Sequence, residues 1–210
     1  MNGSGHISDL ALTRFRALSQ ECLRRAGESL SALLGHPVSL TASAISAVPV
    51  GALPGLAAEA VSEPMAGLRV PFHGEHGGQI VILFPLATVF RMVGVLLRTQ
   101  VRPLSLSETE RSAVMEVGNI LASSFLSGLA DLLGKRLMPR PPELYVEDFP
   151  GLIQRVMADF EGKGSEILVV EAFFEDPGQR IEGRFYVLPE AASLTAMLRP
   201  APGGGGKATT

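Results

Sequence analysis

Cysteine is all but missing from this chain. Cys22 stands alone among 210 residues, which excludes an internal disulfide, and no second cysteine or histidine lies near it at metal-ligand spacing. A chain built this way reads as one for a reducing compartment, with Cys22 as packing. A surplus of basic charge is missing too. Eighteen Lys and Arg face 21 Asp and Glu, for a net charge of −3 and a pI near 5.8. The cations are scattered rather than massed, so no nucleic-acid footprint is read. Charged residues make up only 19% of the chain against 46% hydrophobic ones. That is the composition of a globular protein with a sizeable core, in one domain or two small ones.

Targeting and membrane signals are absent as well. The start, MNGSGHISDL, has no basic segment followed by an apolar one, so no signal peptide is read there. The most apolar stretch, Ile80 to Leu97, is broken by Pro85 and Arg91 and passes from a strand-like to a helix-like pattern. This argues against a membrane span of about 20 residues. A cytoplasmic location is expected. Residues 1–7 and 201–210 (APGGGGKATT) are expected to be flexible termini.

What is present is a strong pattern of helices and strands. A long helix is predicted from about Ser8 to Leu34, ended by Gly35 with Pro37 beyond, the order of a helix stop. A second is predicted from Ser107 to Leu133, opened by Ser107-x-x-Glu110 as a capping box and ended by Gly134. Shorter helices are expected at Ala87 to Leu97, Gly151 to Phe160 and Glu190 to Leu198. Extended segments are expected at Val38 to Ala47, Leu68 to Phe72, Gly78 to Phe84, Leu144 to Val146, Glu166 to Phe174 and Ile181 to Leu188.

The two halves of the chain echo one another. Leu30, Leu33, Leu34 and Gly35 recur 99 residues on as Leu129, Leu132, Leu133 and Gly134. GQIVILF (78–84) and GRFYVL (183–188) each lead into a proline, Pro85 and Pro189. An internal duplication accounts for this. The expected architecture is α+β: one domain over 8–198, made of related halves at about 8–100 and 104–198 that share one sheet covered by helices. The pattern does not set the strand order.

On the helix from Ser107, a rotation of about 100° per residue brings Ser112, Glu116, Asn119 and Ser123 within roughly 40° of one direction. Val114, Leu121, Phe125 and Leu132 gather opposite, with Val117 and Gly128 at the margin of that face. Glu116 and Asn119, at i and i+3, can approach one external target together. Taken alone, this stripe is equally the solvated face of an amphipathic helix.

The wider spacing is Ser112-x3-Glu116-x2-Asn119-x22-Pro142. It resembles the Asp/Ser-x3-Glu-x2-Asn-x22-Pro signature of the CheC, CheX and FliY phosphatases of bacterial chemotaxis, and EVGNILASSFLSGLADLLG (116–134) looks like the second long helix of CheC. The resemblance implies a pseudo-twofold fold, with two long helices packed on a shared, largely antiparallel sheet. It implies hydrolysis of the phospho-aspartate of a CheY-like response regulator, which itself brings the Mg²⁺ and a lysine, so that this chain binds no cofactor. Asn119 would orient the attacking water and Glu116 would clamp the regulator's lysine, the two catalytic residues. Ser112 would lie at the rim of the contact and Pro142 would shape the loop after the helix. Family members commonly carry a second site in the first half. The matching positions here are Thr13, Ala17 and Gln20, with Ser43 where the proline should be. Ala17 offers no carboxylate, so a single-site enzyme is expected. CheD is a further partner the resemblance allows. The alternative is a non-catalytic adaptor like the FliM middle domain, binding a regulator, CheD or a flagellar switch component.

Other constellations carry less. His73 and His76, in FHGEHGG, have metal-like spacing but no third and fourth ligand nearby, and Gly74, Gly77 and Gly78 suggest a turn between strands. No metal site is expected. Gly77-Gly78 is not followed by Lys-Ser/Thr, so no phosphate loop is read. Ser123-Ser124 has no His and acid partner for nucleophilic chemistry. Lys135 and Arg136 are explained by favourable charge at a helix C-terminus.

Overall fold

The computed structural model describes residues 9–52, 64–98, 105–160, 166–176 and 179–189. The helix expected at 190–198 and both expected flexible termini lie outside these residues. The described chain folds as α1 (Asp9–Leu34), β1 (Ser39–Pro49), a single 3₁₀ turn (Val50–Ala52), β2 (Met65–Gly74), β3 (Gly78–Pro85), α2 (Leu86–Leu97), α3 (Glu108–Leu133), β4 (Leu137–Pro139), β5 (Glu143–Glu147), α4 (Phe149–Phe160), β6 (Glu166–Asp176) and β7 (Gln179–Pro189).

Seven strands form one sheet in the order β1-β6-β7-β3-β2-β4, with β5 also on β2, and every pairing is antiparallel. The order reads the same from both ends once the halves are exchanged. Each half contributes a hairpin, β2–β3 and β6–β7, and the two hairpins meet where Gly78 faces Pro189 and Leu83 faces Arg184. The strands that follow each long helix cross over: β1 lies on the second half's β6, while β4 and β5 lie on the first half's β2. The fold is therefore α+β and pseudo-twofold, with the two long helices on a shared sheet.

Alternation along the strands divides the interior. Ala66, Leu68, Val70 and Phe72 of β2 and Ile80, Ile82 and Phe84 of β3 face the helices α1, α2 and α3. Val81, Leu83, Tyr186 and Leu188 face the other way, onto Phe149, Leu152, Ile153 and Val156 of α4. Because β3 and β7 are covered on both faces, their runs read as nearly continuous apolar sequence. By length and hydropathy α3 alone, among the described residues, would pass for a membrane span, yet half of that window is buried within the protein. A core helix passes the same test.

The sequence reading placed the long helices and hairpins closely and missed two features. β4 is only three residues long, too short to carry a period. β1 contains a bulge between Ala42 and Ala44, at Ser43, which kinks an edge strand. The apolar face of α3 is also wider than the helical projection gave, because this helix is covered by the sheet and by α1 together. Val117 and Gly128 are buried rather than marginal, and Ala122, Leu126 and Leu129 join them.

Candidate active site

The position of α3 follows from its ends and its contacts. The Ser107 hydroxyl accepts a hydrogen bond from the Glu110 backbone N–H (3.4 Å), and the Glu110 carboxylate accepts from the Ser107 backbone N–H (2.7 Å). This reciprocal cap satisfies N–H groups that the first turn leaves unpaired. At the other end Gly134 takes the left-handed conformation (φ 61°), and the Lys135 backbone N–H donates to the Ala130 carbonyl (3.0 Å). Arg111 Nη2 donates to the Leu144 carbonyl of β5 (3.0 Å), while the Phe125 and Phe185 rings meet at 6.0 Å.

Gly118 touches the sheet. A Cβ at this position would lie 2.8 Å from Leu68 Cδ1 and 3.0 Å from Cδ2, so only glycine lets the helix approach β2 this closely. The α1 side is equally close. The Ser124 hydroxyl donates to that of Ser29 (2.9 Å) and Arg25 pairs with Asp131 (3.0 Å). On the same helix α1, hydrogen bonds from Arg24 and then Arg25 hold the Glu21 carboxyl down at about 2. Burial pushes the neighbouring Cys22 thiol up to about 12.

With its back fixed in this way, α3 turns the predicted stripe outward. Ser112 and Glu116 are exposed, and Asn119 and Ser123 are half-buried. The Ser123 hydroxyl donates to Asn119 Oδ1 at 3.4 Å, a long contact that holds the amide only weakly. Among the described residues Glu116 has no hydrogen-bond or ion-pair partner, and neither does the Asn119 NH₂. Adjacent turns thus present a carboxylate acceptor and an amide that can both donate and accept. An amide is no base near neutral pH. What it can do is orient a water molecule.

Pro142 lies between β4 and β5 and lines a cleft. That cleft opens on the α4 side of the sheet, since Arg69, Pro71 and Gln79 on its wall alternate with residues facing α3. The first-half positions Thr13, Ala17 and Gln20 are all exposed on α1, and Ser43 sits in the bulge of β1, donating to the Glu171 carbonyl (3.2 Å). Gln20 and Ser43 line a shallow hollow with Arg16, whose Nε donates to the Ile45 carbonyl (3.0 Å). Arg16 and Gln20 give this hollow no carboxylate.

His73 and His76 bracket the tip of the β2–β3 hairpin, as the glycines suggested. Gly74 has φ 142°, and a Cβ there would collide with the Arg136 carbonyl. Glu75 closes the corner. Its backbone N–H donates to the Arg136 carbonyl (3.0 Å), and its carboxylate accepts from Arg136 N–H (3.2 Å) and Lys135 Nζ (3.4 Å). These donors, the Arg136 N–H foremost, hold the Glu75 carboxyl below its ordinary value. Burial, with the Lys135 charge, holds His76 below its own. Lys135 therefore has a specific partner beyond the helix end. Arg111 escaped the sequence reading because its acceptor is a backbone carbonyl far along the chain.

The sequence profile of the CheC-like family matches residues 110–146, the span from the start of α3 to β5. The chain is 24% identical over 182 residues to the CheC1 protein of Halobacterium salinarum, covering 86% of this chain and 91% of that one. It is 26% identical over 140 residues to the CheY-P phosphatase CheC of Bacillus subtilis, covering 64% and 67%. Among solved structures, FliY of Thermotoga maritima shares the fold with a TM-score of 0.70 at 19% identity, over 91% of this chain and 95% of that one. The FliM middle domain from H. pylori shares it at 0.63 and 12%, over 91% and 98%. CheX in the CheX–CheY–BeF₃–Mg²⁺ complex from Borrelia burgdorferi shares it at 0.50 and 18%, over 80% and 95%.

Proposed function

Since the chain is CheC-like in its motif, its relatives and its fold, we propose that it hydrolyses the phospho-aspartate of a CheY-like response regulator, through Glu116 and Asn119 on α3. The observation that carries this reading is the pairing of a carboxylate without a partner among the described residues and a weakly held amide, one turn apart, on the outward face of a helix locked from behind. A bacterial CheY-P phosphatase is among the relatives of the chain, and a CheX of the same fold has been captured on CheY.

The chemistry asks little of this chain. Phosphoryl transfer depends on positioning and charge stabilisation. The regulator brings the acyl phosphate, its Mg²⁺ and its lysine. Glu116 receives that lysine in a charge-assisted contact that fixes the docking register, and Ser112, one turn earlier, borders the contact. Asn119 accepts from and donates to one water and sets it in line with phosphorus, a gain in orientation rather than in basicity. Attack by the water breaks the bond from phosphorus to the aspartyl oxygen, returning a carboxylate and inorganic phosphate. With Ala17 in place of a carboxylate, the first half has no equivalent clamp, so one site operates. Such a substrate sets the work in the cytoplasm.

The test is the decay of a phosphorylated regulator from the same cell, with Mg²⁺, in the presence of wild type, Asn119→Ala or Glu116→Ala. Asn119→Ala should bring decay back to the regulator's own rate, a loss of about 10²-fold or more, while binding persists; Glu116→Ala should weaken both. Full acceleration by both variants would sink the assignment. The likeness to the FliM middle domain supports a second reading, an adaptor without catalysis. Tight regulator binding with no change in phosphate lifetime would select it.

A further inference from the structure

The sheet face away from α3 carries a cleft that the proposed chemistry does not use. It has a volume of about 710 Å³, in the range of small-molecule sites. Its polar wall is rich in donors. Gln79 of β3 is 5% exposed, and its Oε1 accepts from Arg69 Nε at 2.6 Å. That bond fixes which end of the amide is which, leaving the NH₂ of this cleft-lining residue without a partner among the described residues. That NH₂ is not sealed from solvent, so it is open to a ligand entering the cleft.

Beside it stands Arg140, whose backbone N–H is tied to the Pro71 carbonyl (2.7 Å) while its guanidinium has no partner among the described residues. The one carboxylate on the wall, Glu143, is already engaged. It accepts from Arg69 Nη1 (2.9 Å) and from the Tyr145 hydroxyl (2.6 Å), and these bonds, Tyr145 first, hold it below its ordinary value. It is thus kept charged, with its charge already paired. Pro71, Pro142 and Leu188 supply apolar wall.

We propose that this cleft binds a small organic anion, a phosphate or carboxylate carried on an apolar body, with the anion between the Arg140 guanidinium and the Gln79 amide. A bound anion accepts from the Gln79 NH₂ in place of solvent and pairs the Arg140 guanidinium, a charge-assisted contact in a partly enclosed site. The prolines and Leu188 would cover the body of the ligand.

The experiment is calorimetric titration of the whole chain with inorganic phosphate, adenosine 5′-monophosphate and 4-hydroxybenzoate, repeated on Arg140→Ala, Gln79→Leu and Asn119→Ala. Arg140 is exposed, so its replacement leaves folding intact; amide NMR spectra check Gln79→Leu. At least one probe should bind saturably at micromolar to millimolar concentration, about tenfold more weakly to Arg140→Ala and unchanged to Asn119→Ala. Phosphate-bearing probes alone, or the carboxylate alone, would identify the anion. Absence of saturable binding by all three, or binding that Arg140→Ala leaves intact, would overturn the proposal. Failure here would not touch the phosphatase assay, which reads the other face.

Discussion

Replacing Gly118 by alanine adds one methyl group where α3 touches β2. In an exposed helix this change stabilises by about 1 kcal/mol, since glycine is the poorer helix former. Here the new Cβ would stand 2.8 Å from Leu68 Cδ1 and 3.2 Å from its Cγ, both inside the ordinary contact distance of 3.4 Å, the first by 0.6 Å. Leu68 is fully buried in the core, so its side chain can yield only by displacing other core residues. Overpacking of this kind costs about 1–3 kcal/mol, so the net expectation is a loss of about 1 kcal/mol in urea unfolding. The alternative to strain in Leu68 is a shift of the helix, and Gly118 lies between Glu116 and Asn119. A displacement of a few tenths of an ångström re-aims both side chains, and a misplacement approaching 1 Å can cost about 10²-fold in rate. Gly118→Ala should therefore slow phospho-regulator decay about tenfold more than its stability loss explains. Adding Leu68→Ala, which opens room beneath the methyl, should show a favourable coupling of about 0.5 kcal/mol or more in a double-mutant cycle. A variant that gains the full helix-propensity increment and retains wild-type acceleration would refute the argument.

Other expectations follow from the ends and the interior of the long helices. Ser107→Ala removes the reciprocal cap with Glu110 and should cost about 1 kcal/mol in urea unfolding, with Ser107→Thr retaining most of the stability. Cys22 keeps its proton in the folded state up to about pH 12, against 9.0 when unfolded. Between those values the unfolded chain binds fewer protons, so stability falls as pH rises, by up to about 1.4 kcal/mol per unit for this group. Cys22→Ala should show a shallower decline over that window, and the native thiol should resist a disulfide reagent until the protein opens.

How much of this was legible depended on whether the cause was local. The ends of α1 and α3 could be placed within a residue or so because Gly35, Ser107 and Gly134 act on their own turns. The outward stripe was legible for the same reason, since 100° per residue is a property of the helix alone. The breadth of the buried face was not, because it needed the knowledge that α1 would lie against Gly128. The strand order, the bulge at Ser43 and the corner joining Glu75 to Arg136 all rest on partners distant in sequence. The cleft was invisible for the same reason: Gln79, Arg140 and Leu188 come from separate parts of the chain and share no spacing.

The exchange of strands between the halves has a consequence for synthesis. β1 emerges early, yet among the described residues its one neighbour in the sheet is β6, so Ser39 must wait for Glu175 before its ladder can close. β2 likewise gains β4 and β5 only after α3 has been made. An N-terminal half released alone would expose an unpaired edge and an uncovered apolar face, the features that recruit chaperones or other copies. A stop codon between the halves should therefore leave an aggregating fragment rather than a smaller working domain.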